Sequence, residues 1–160
     1  MRKILIVLSL LAVTSFTFAQ KANVREAKKI ANSAGDFNKA DQLIEEAKDD
    51  PETWSVAGLV KQKYSEEEMK KAYLSQKYDT ARVYNSVLKM FEYYTKCDDL
   101  AQLPDEKGKI KNKYRKSNSS ALLADRPNLI NGGIYYFNNN KDKEALEFFS
   151  TYMESTVHPI

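Results

Sequence analysis

The chain has 160 residues, about one domain, with 25 Lys and Arg against 22 Asp and Glu and a formal net charge of +3. Arg2 and Lys3 carry two of those charges in a segment read below as removed. The near-balance that remains excludes a strongly basic nucleic-acid binder and an acidic-tail protein. A single Cys excludes a disulfide framework, a single His excludes an H-E-x-x-H site, and only five Gly and four Pro argue against an all-β chain of tight turns.

The N-terminus has three parts. Met1-Arg2-Lys3 is basic, Ile4 to Val13 is apolar except for Ser9, and Thr17-Phe18-Ala19 ends it with small residues around one large one. That order predicts a secretory signal peptide over 1–19, cleaved after Ala19. The apolar stretch is shorter than the ~20 residues that span a bilayer. The mature domain is then 20–160, exported to a periplasmic or extracellular space, with no transmembrane anchor.

The rest reads as about eight helices. Val24, Ala27, Ile30, Ala31 and Ala34 share a face, and Gly35-Asp36 breaks it, with Asp36 as the next N-cap. Phe37, Ala40, Leu43, Ile44 and Ala47 form a second face, closed by Asp49-Asp50-Pro51. Trp54, Ala57, Gly58 and Val60 open a third helix. Ser65 and Glu68, at capping-box spacing, predict a fourth, with Met69, Ala72, Tyr73 and Gln76 inward. Asp79 caps a long helix to about Lys96, apolar over so much of its circumference that it is packed on two sides. Val83, Met90 and Cys97 share one stripe of it, so the thiol is expected to be buried. Beyond the irregular 100–108, a helix is expected from Ile110 through Tyr114, Ser117, Ala121 and Leu122 to about Ala124, broken by Asp125-Arg126-Pro127. Leu129, Ile130, Gly133, Ile134, Tyr136 and Phe137 make another, and Ala145, Leu146, Phe148, Phe149, Tyr152 and Met153 the last. No run of alternating β-branched residues interrupts this series, so the fold class is all-α.

Residues 126–159 resemble a tetratricopeptide repeat, whose period is ~34 residues. Leu129, Gly132-Gly133, Tyr136, Ala145, Phe149 and Pro159 stand at its marked positions. Residues 21–51 match more weakly through Ala27, Ala40, Ile44, Ala47 and Pro51. Trp54 and Gly58 match a unit start, but Lys61 replaces the expected Tyr and Tyr64–Tyr78 departs from the period. The chain is also similar to the N-terminal part of exported tetratricopeptide-repeat proteins of Gram-negative bacteria. Thr53 through Gly58, Tyr84-Asn85-Ser86-Val87, Lys96-Cys97-Asp98 and Arg126 through Gly133 carry that similarity. The resemblance implies an α-solenoid of stacked antiparallel helix hairpins that binds a protein or peptide and has no catalytic role. It places the binding groove at Arg25, Lys29, Asn32, Ser55, Leu59, Gln62, Ile134, Phe137 and Asn138.

Other features have plainer readings. Glu45-Glu46, Asp49-Asp50, Glu66-Glu67-Glu68 and Asp98-Asp99 read as solvated helix ends, because adjacent helical residues do not face one another. Lys107, Lys109, Lys111, Lys113, Arg115 and Lys116 form an acid-free strip that offers an anion-binding surface. Most of the ten Tyr residues read as packing positions with hydroxyls at the surface. His158 has no oriented partner near it in the chain. No Walker loop, G-x-S-x-G or G-x-G-x-x-G is present, and neither cofactor nor metal is expected. The expected function is therefore a non-enzymatic scaffold in the cell envelope, acting on a protein or peptide and not on nucleic acid. The alternative is a glycan- or anionic-lipid-associated binding protein. The apolar last helix predicts self-association or further C-terminal repeats, with Ala145, Leu146, Phe148 and Met153 not all covered.

Overall fold

A computed structural model describes residues 19–45, 47, 50–104, 107–110, 113–158 and 160. The expected signal peptide lies almost wholly outside the described residues, as do Lys111 and Pro159. The described residues form six helices and no strand: α1 (19–32), α2 (Phe37–Glu45), α3 (Pro51–Tyr73), α4 (Thr80–Ala101), α5 (Arg115–Asn138) and α6 (Asp142–Val157). None is long and apolar enough to cross a membrane.

Several helix starts follow from local chemistry. The Asp36 carboxylate accepts from the amides of Asn38 and Lys39. Asp50 accepts from Thr53 at 2.9 Å, with Pro51 in the first turn where its missing N–H costs nothing. Asp79 accepts from Arg82 at 2.9 Å.

Two expected breaks are absent, which is why six helices stand where about eight were expected. Ser65 caps nothing: it is buried in mid-helix, and α3 runs straight through it. Glu68 reaches forward instead, accepting from the Asp79 amide at 2.9 Å and pairing with Lys71 at 2.7 Å. Capping-box spacing without a helix-breaking residue before it did not start a helix. Burial pushes the Glu68 carboxyl up, but Lys71, the Asp79 amide and Arg82 outweigh it and hold the group below the usual carboxylate range. Pro127 likewise sits inside α5. It faces solvent, so the carbonyl that loses its N–H partner, that of exposed Leu123, lies on a wetted side. Leu122 and Leu129, both buried, anchor the helix on either side of it. Ile110 is outside any helix and 55% exposed, and Tyr73 is 89% exposed at the end of α3, so neither joins the core.

Successive helices pack antiparallel. Tyr64 of α3 meets Phe37 and Asn38 of α2, while Lys61 pairs with Asp41 at 2.6 Å. Cys97 of α4 reaches the Pro51 carbonyl at 3.1 Å, and Tyr94 lies on Gly58. Tyr136 of α5 meets Asn85 of α4, with Arg115 on Asp98 at the other end. Phe148 and Phe149 of α6 pack on Gly132 and Gly133 of α5. A Cβ at Gly58, Gly132 or Gly133 would overlap these rings, so the glycines set the close approach within the α3–α4 and α5–α6 pairs. Two apolar cores result. Val24, Ala27, Ala31, Phe37, Ala40, Val56, Val60 and Tyr64 join α1, α2 and α3. Val87, Met90, Phe91, Leu122, Leu129 and Phe148 are among those joining α4, α5 and α6. The α3–α4 contact connects the two.

Three helix contacts are keyed by a Tyr hydroxyl donating to an amide oxygen of the preceding helix. Tyr64 reaches Asn38 at 2.5 Å, Tyr94 reaches Gln62 at 3.1 Å and Tyr136 reaches Asn85 at 2.6 Å. These hydroxyls tie helix to helix instead of standing free at the surface. Asp98 also departs from the solvated reading. It is 1% exposed and holds Arg115 in a two-bond fork, Nε to Oδ1 at 2.9 Å and Nη2 to Oδ2 at 2.5 Å.

Cys97 is fully buried beside that pair, and burial pushes its thiol up to about 11. The thiolate is the reactive form. At pH 8 iodoacetamide is expected to modify Cys97 about a hundredfold more slowly in the folded chain than in denaturant. Comparable rates in the two states, read by mass spectrometry, would show that the α3–α4 contact opens readily.

Candidate functional site

Because α3 and α5 both run antiparallel to α4, they run parallel to each other. A groove of about 600 Å³ lies between them. Its α3 wall carries Glu52, Ser55, Val56, Leu59 and Gln62, and its α5 wall carries Ser117, Asn118, Ser120, Ala121 and Ala124. Tyr94 of α4 lies at its floor, Lys28 of α1 reaches its edge, and Lys113 and Tyr114 stand before the start of α5. Residues 117, 120, 121 and 124 recur at helical spacing and are small, which keeps the α5 wall low and the groove open.

Charged groups stand near both ends of the groove. Lys113 and Glu52 mark the end near the start of α3. At the other end Gln62 donates to Glu66 at 2.9 Å, and Asp125 follows the small residues of α5. Burial raises the Asp125 carboxyl, Asn128 partly offsets this, and the negative field of Glu66 adds to the rise. Tyr94 is buried and its hydroxyl is pushed well above the ordinary phenol range, so it remains a neutral donor to Gln62.

The expected groove residues divide between this site and other surfaces. Ser55, Leu59 and Gln62 line it. Arg25, Lys29 and Asn32 are exposed on α1, but Lys28 is the α1 residue at the groove. Ile134, Phe137 and Asn138 are exposed more than two turns further along α5, away from the groove lining. The basic strip is not one surface. Arg115 is committed to Asp98, Lys113 lies at the groove with its ammonium 3.3 Å from the Tyr114 hydroxyl, and Lys116 is exposed on the first turn of α5. Lys107 and Lys109 are exposed in the α4–α5 connection and have interactions of their own.

The α5 wall escaped the sequence reading. Its signal was present in Ser117, Ser120, Ala121 and Ala124, but small residues at that spacing fit a tightly packed face equally well. A second cleft, about 470 Å³, separates α4 from α6 and carries Glu92, Asp99, Glu147 and Glu154 over Leu88 and Phe91. There His158 comes within 3.3 Å of Asp99, a partner supplied by α4 and not by its own helix. Among the described residues no group of three His, Cys, Asp or Glu side chains is placed to hold a metal ion.

Comparison with models of known protein families, with curated proteins and with solved structures returned no match. The likeness to tetratricopeptide repeats therefore rests on the residues quoted above.

Proposed function

We propose that the chain is a non-enzymatic helical scaffold of the tetratricopeptide type that holds an extended segment of a partner protein in the α3–α5 groove. The observation that carries this reading is the groove itself: two parallel helices kept apart, one walled by small residues, with hydroxyl and amide groups along both sides. Ser, Gln and Tyr side chains suit main-chain N–H and C=O groups of a bound strand. The length of the groove, with Lys113 near one end and Asp125 near the other, suits an extended chain more than a compact ligand. The apolar N-terminal segment supports a place in the cell envelope for this activity.

The test is an array of overlapping peptides from envelope proteins, probed with the wild type and with Ala121→Arg, which fills the groove from its low wall. Peptides held by the wild type are expected to lose about tenfold or more in affinity in the variant, about 1.4 kcal/mol or more. Equal retention by both, with helical content unchanged by circular dichroism, would place binding elsewhere.

A further inference from the structure

The α4–α6 cleft is acidic on both walls. Helices α4 and α6 each run antiparallel to α5, so they run parallel to each other, and Asp99 meets His158 at 3.3 Å. Counting back from that contact at equal rise, Thr95 comes level with Glu154, Glu92 with Thr151 and Leu88 with Glu147. The carboxylates therefore alternate from wall to wall in the order Glu147, Glu92, Glu154, Asp99, at steps of four, three and four residues. Those steps are about 6, 4.5 and 6 Å.

The chain itself answers only part of this charge. Lys89 takes Glu92 at 2.6 Å and His158 stands against Asp99, while Glu147 and Glu154 are exposed and have no ion pair with another described residue. The Lys96 ammonium lies over the Trp54 ring, 3.7 Å from its centre. The Thr151 and Ser155 hydroxyls donate to carbonyls of their own helix. The lining thus offers mainly oxygen acceptors, above an apolar floor of Leu88 and Phe91. An extended peptide would find few donors there for its carbonyls. A helix satisfies its main chain internally and brings only side chains. The cleft therefore fits a helix with cations along one face.

This chain carries such a helix at its other end. On α1, Lys21, Arg25 and Lys28 follow at steps of four and three residues, with Lys29 beside them, and all four are exposed. Glu26, the acid of α1, is turned to Lys39 of α2 at 3.7 Å. The cation steps match the carboxylate steps in either direction along the cleft. No large exposed apolar residue lies on α1, so the aliphatic stems of its lysines and arginine are what cover Leu88 and Phe91. We propose that α1 of a second copy docks in the α4–α6 cleft, its Lys21, Arg25 and Lys28 between the carboxylates of the two walls. The two surfaces differ, so the contact is head-to-tail and builds an open chain or a closed ring.

Sedimentation velocity at low salt is expected to show association that grows with protein concentration, and added salt should weaken it by about tenfold or more. Glu147→Lys with Glu154→Lys should leave the protein monomeric, and so should Arg25→Glu with Lys28→Glu; all four positions are exposed. Mixing these two variants should restore association, because the basic α1 of the first meets the acidic cleft of the second. Lys70→Glu with Lys77→Glu, the same change of charge on another exposed surface, should associate as the wild type does. A wild type that stays monomeric at low salt overturns the proposal. So does association that persists in both cleft and α1 variants, or variants that remain apart when mixed. Equal loss in the Lys70 and Lys77 variant overturns it as well, because net charge alone is then responsible.

Discussion

Replacing Arg115 by Met is expected to destabilise the chain by about 3–5 kcal/mol, the cost of leaving a buried charge without its partner. The reason is asymmetric burial. Asp98 is 1% exposed, whereas the Arg115 side chain is 30% exposed. Removing the arginine strands the carboxylate, since the main chain of α4 is already used by its own helix. At about 2–4 °C per kcal/mol for a domain of this size, the melting temperature should fall by about 10 °C. The double variant Asp98→Leu/Arg115→Met should recover most of the loss, since apolar replacement of both partners removes the desolvation penalty. Chemical denaturation of the three variants measures this cycle. A single-variant loss below about 1 kcal/mol would mean that the pair behaves as a surface ion pair.

The second large effect is expected at Gly58. Alanine is ordinarily the better helix former by about 1 kcal/mol. Here its Cβ would overlap the Tyr94 ring, which is itself buried and bonded to Gln62. Overpacking of this kind costs about 1–3 kcal/mol and shifts the neighbouring backbone. Gly58→Ala should therefore destabilise the chain by about 2 kcal/mol in denaturant, against its helix propensity. Tyr94→Leu in the same chain should restore part of it by vacating the space, although Tyr94→Leu alone should also destabilise. The contact joins the two apolar cores, so both should loosen together; hydrogen exchange should rise in α2 as well as in α6. A loss of protection confined to α3 and α4 would show that the cores are independent.

Element type was legible where local chemistry decides it. Asp36, Asp50 and Asp79 mark helix starts because a short carboxylate in extended backbone can reach the free amides two or three residues on. The Val83, Met90 and Cys97 stripe is buried as its spacing indicates. Ala145 and Phe148 are covered and Leu146 and Met153 are not, in line with a last helix apolar around most of its surface. The exposed Gly35-Asp36 marked the end of α1 correctly, whereas Pro127 did not mark an end. Pro127 breaks nothing because its side of α5 is wet, and which side is wet depends on where α4 and α6 lie. The acidic pair Asp98-Asp99 shows the same limit: neighbours in sequence, one is sealed against Arg115 and the other stands at a cleft edge beside His158.

The candidate site was half visible. Ser55, Leu59 and Gln62 lie on the predicted face of α3, but the opposing wall comes from the first half of α5, not from Ile134, Phe137 and Asn138. A groove belongs to the gap between two helices, and its position depends on their offset along their axes. Sequence periodicity gives each helix a face but leaves that offset open.

By itself the amino-acid sequence determined that the described residues are helical, where α2, α3 and α4 begin, and which side of most helices is apolar, because capping and 3.6-residue periodicity act over a few residues. Tertiary structure alone decided that Arg115 serves Asp98 and leaves the basic strip, that small residues on α5 border a groove, and that the outer face of α5 and α6 remains open. Those outcomes depend on which groups meet across more than a dozen residues of chain. Packing density, desolvation and the paired approach of glycine and aromatic ring select such meetings, and no local signal encodes them.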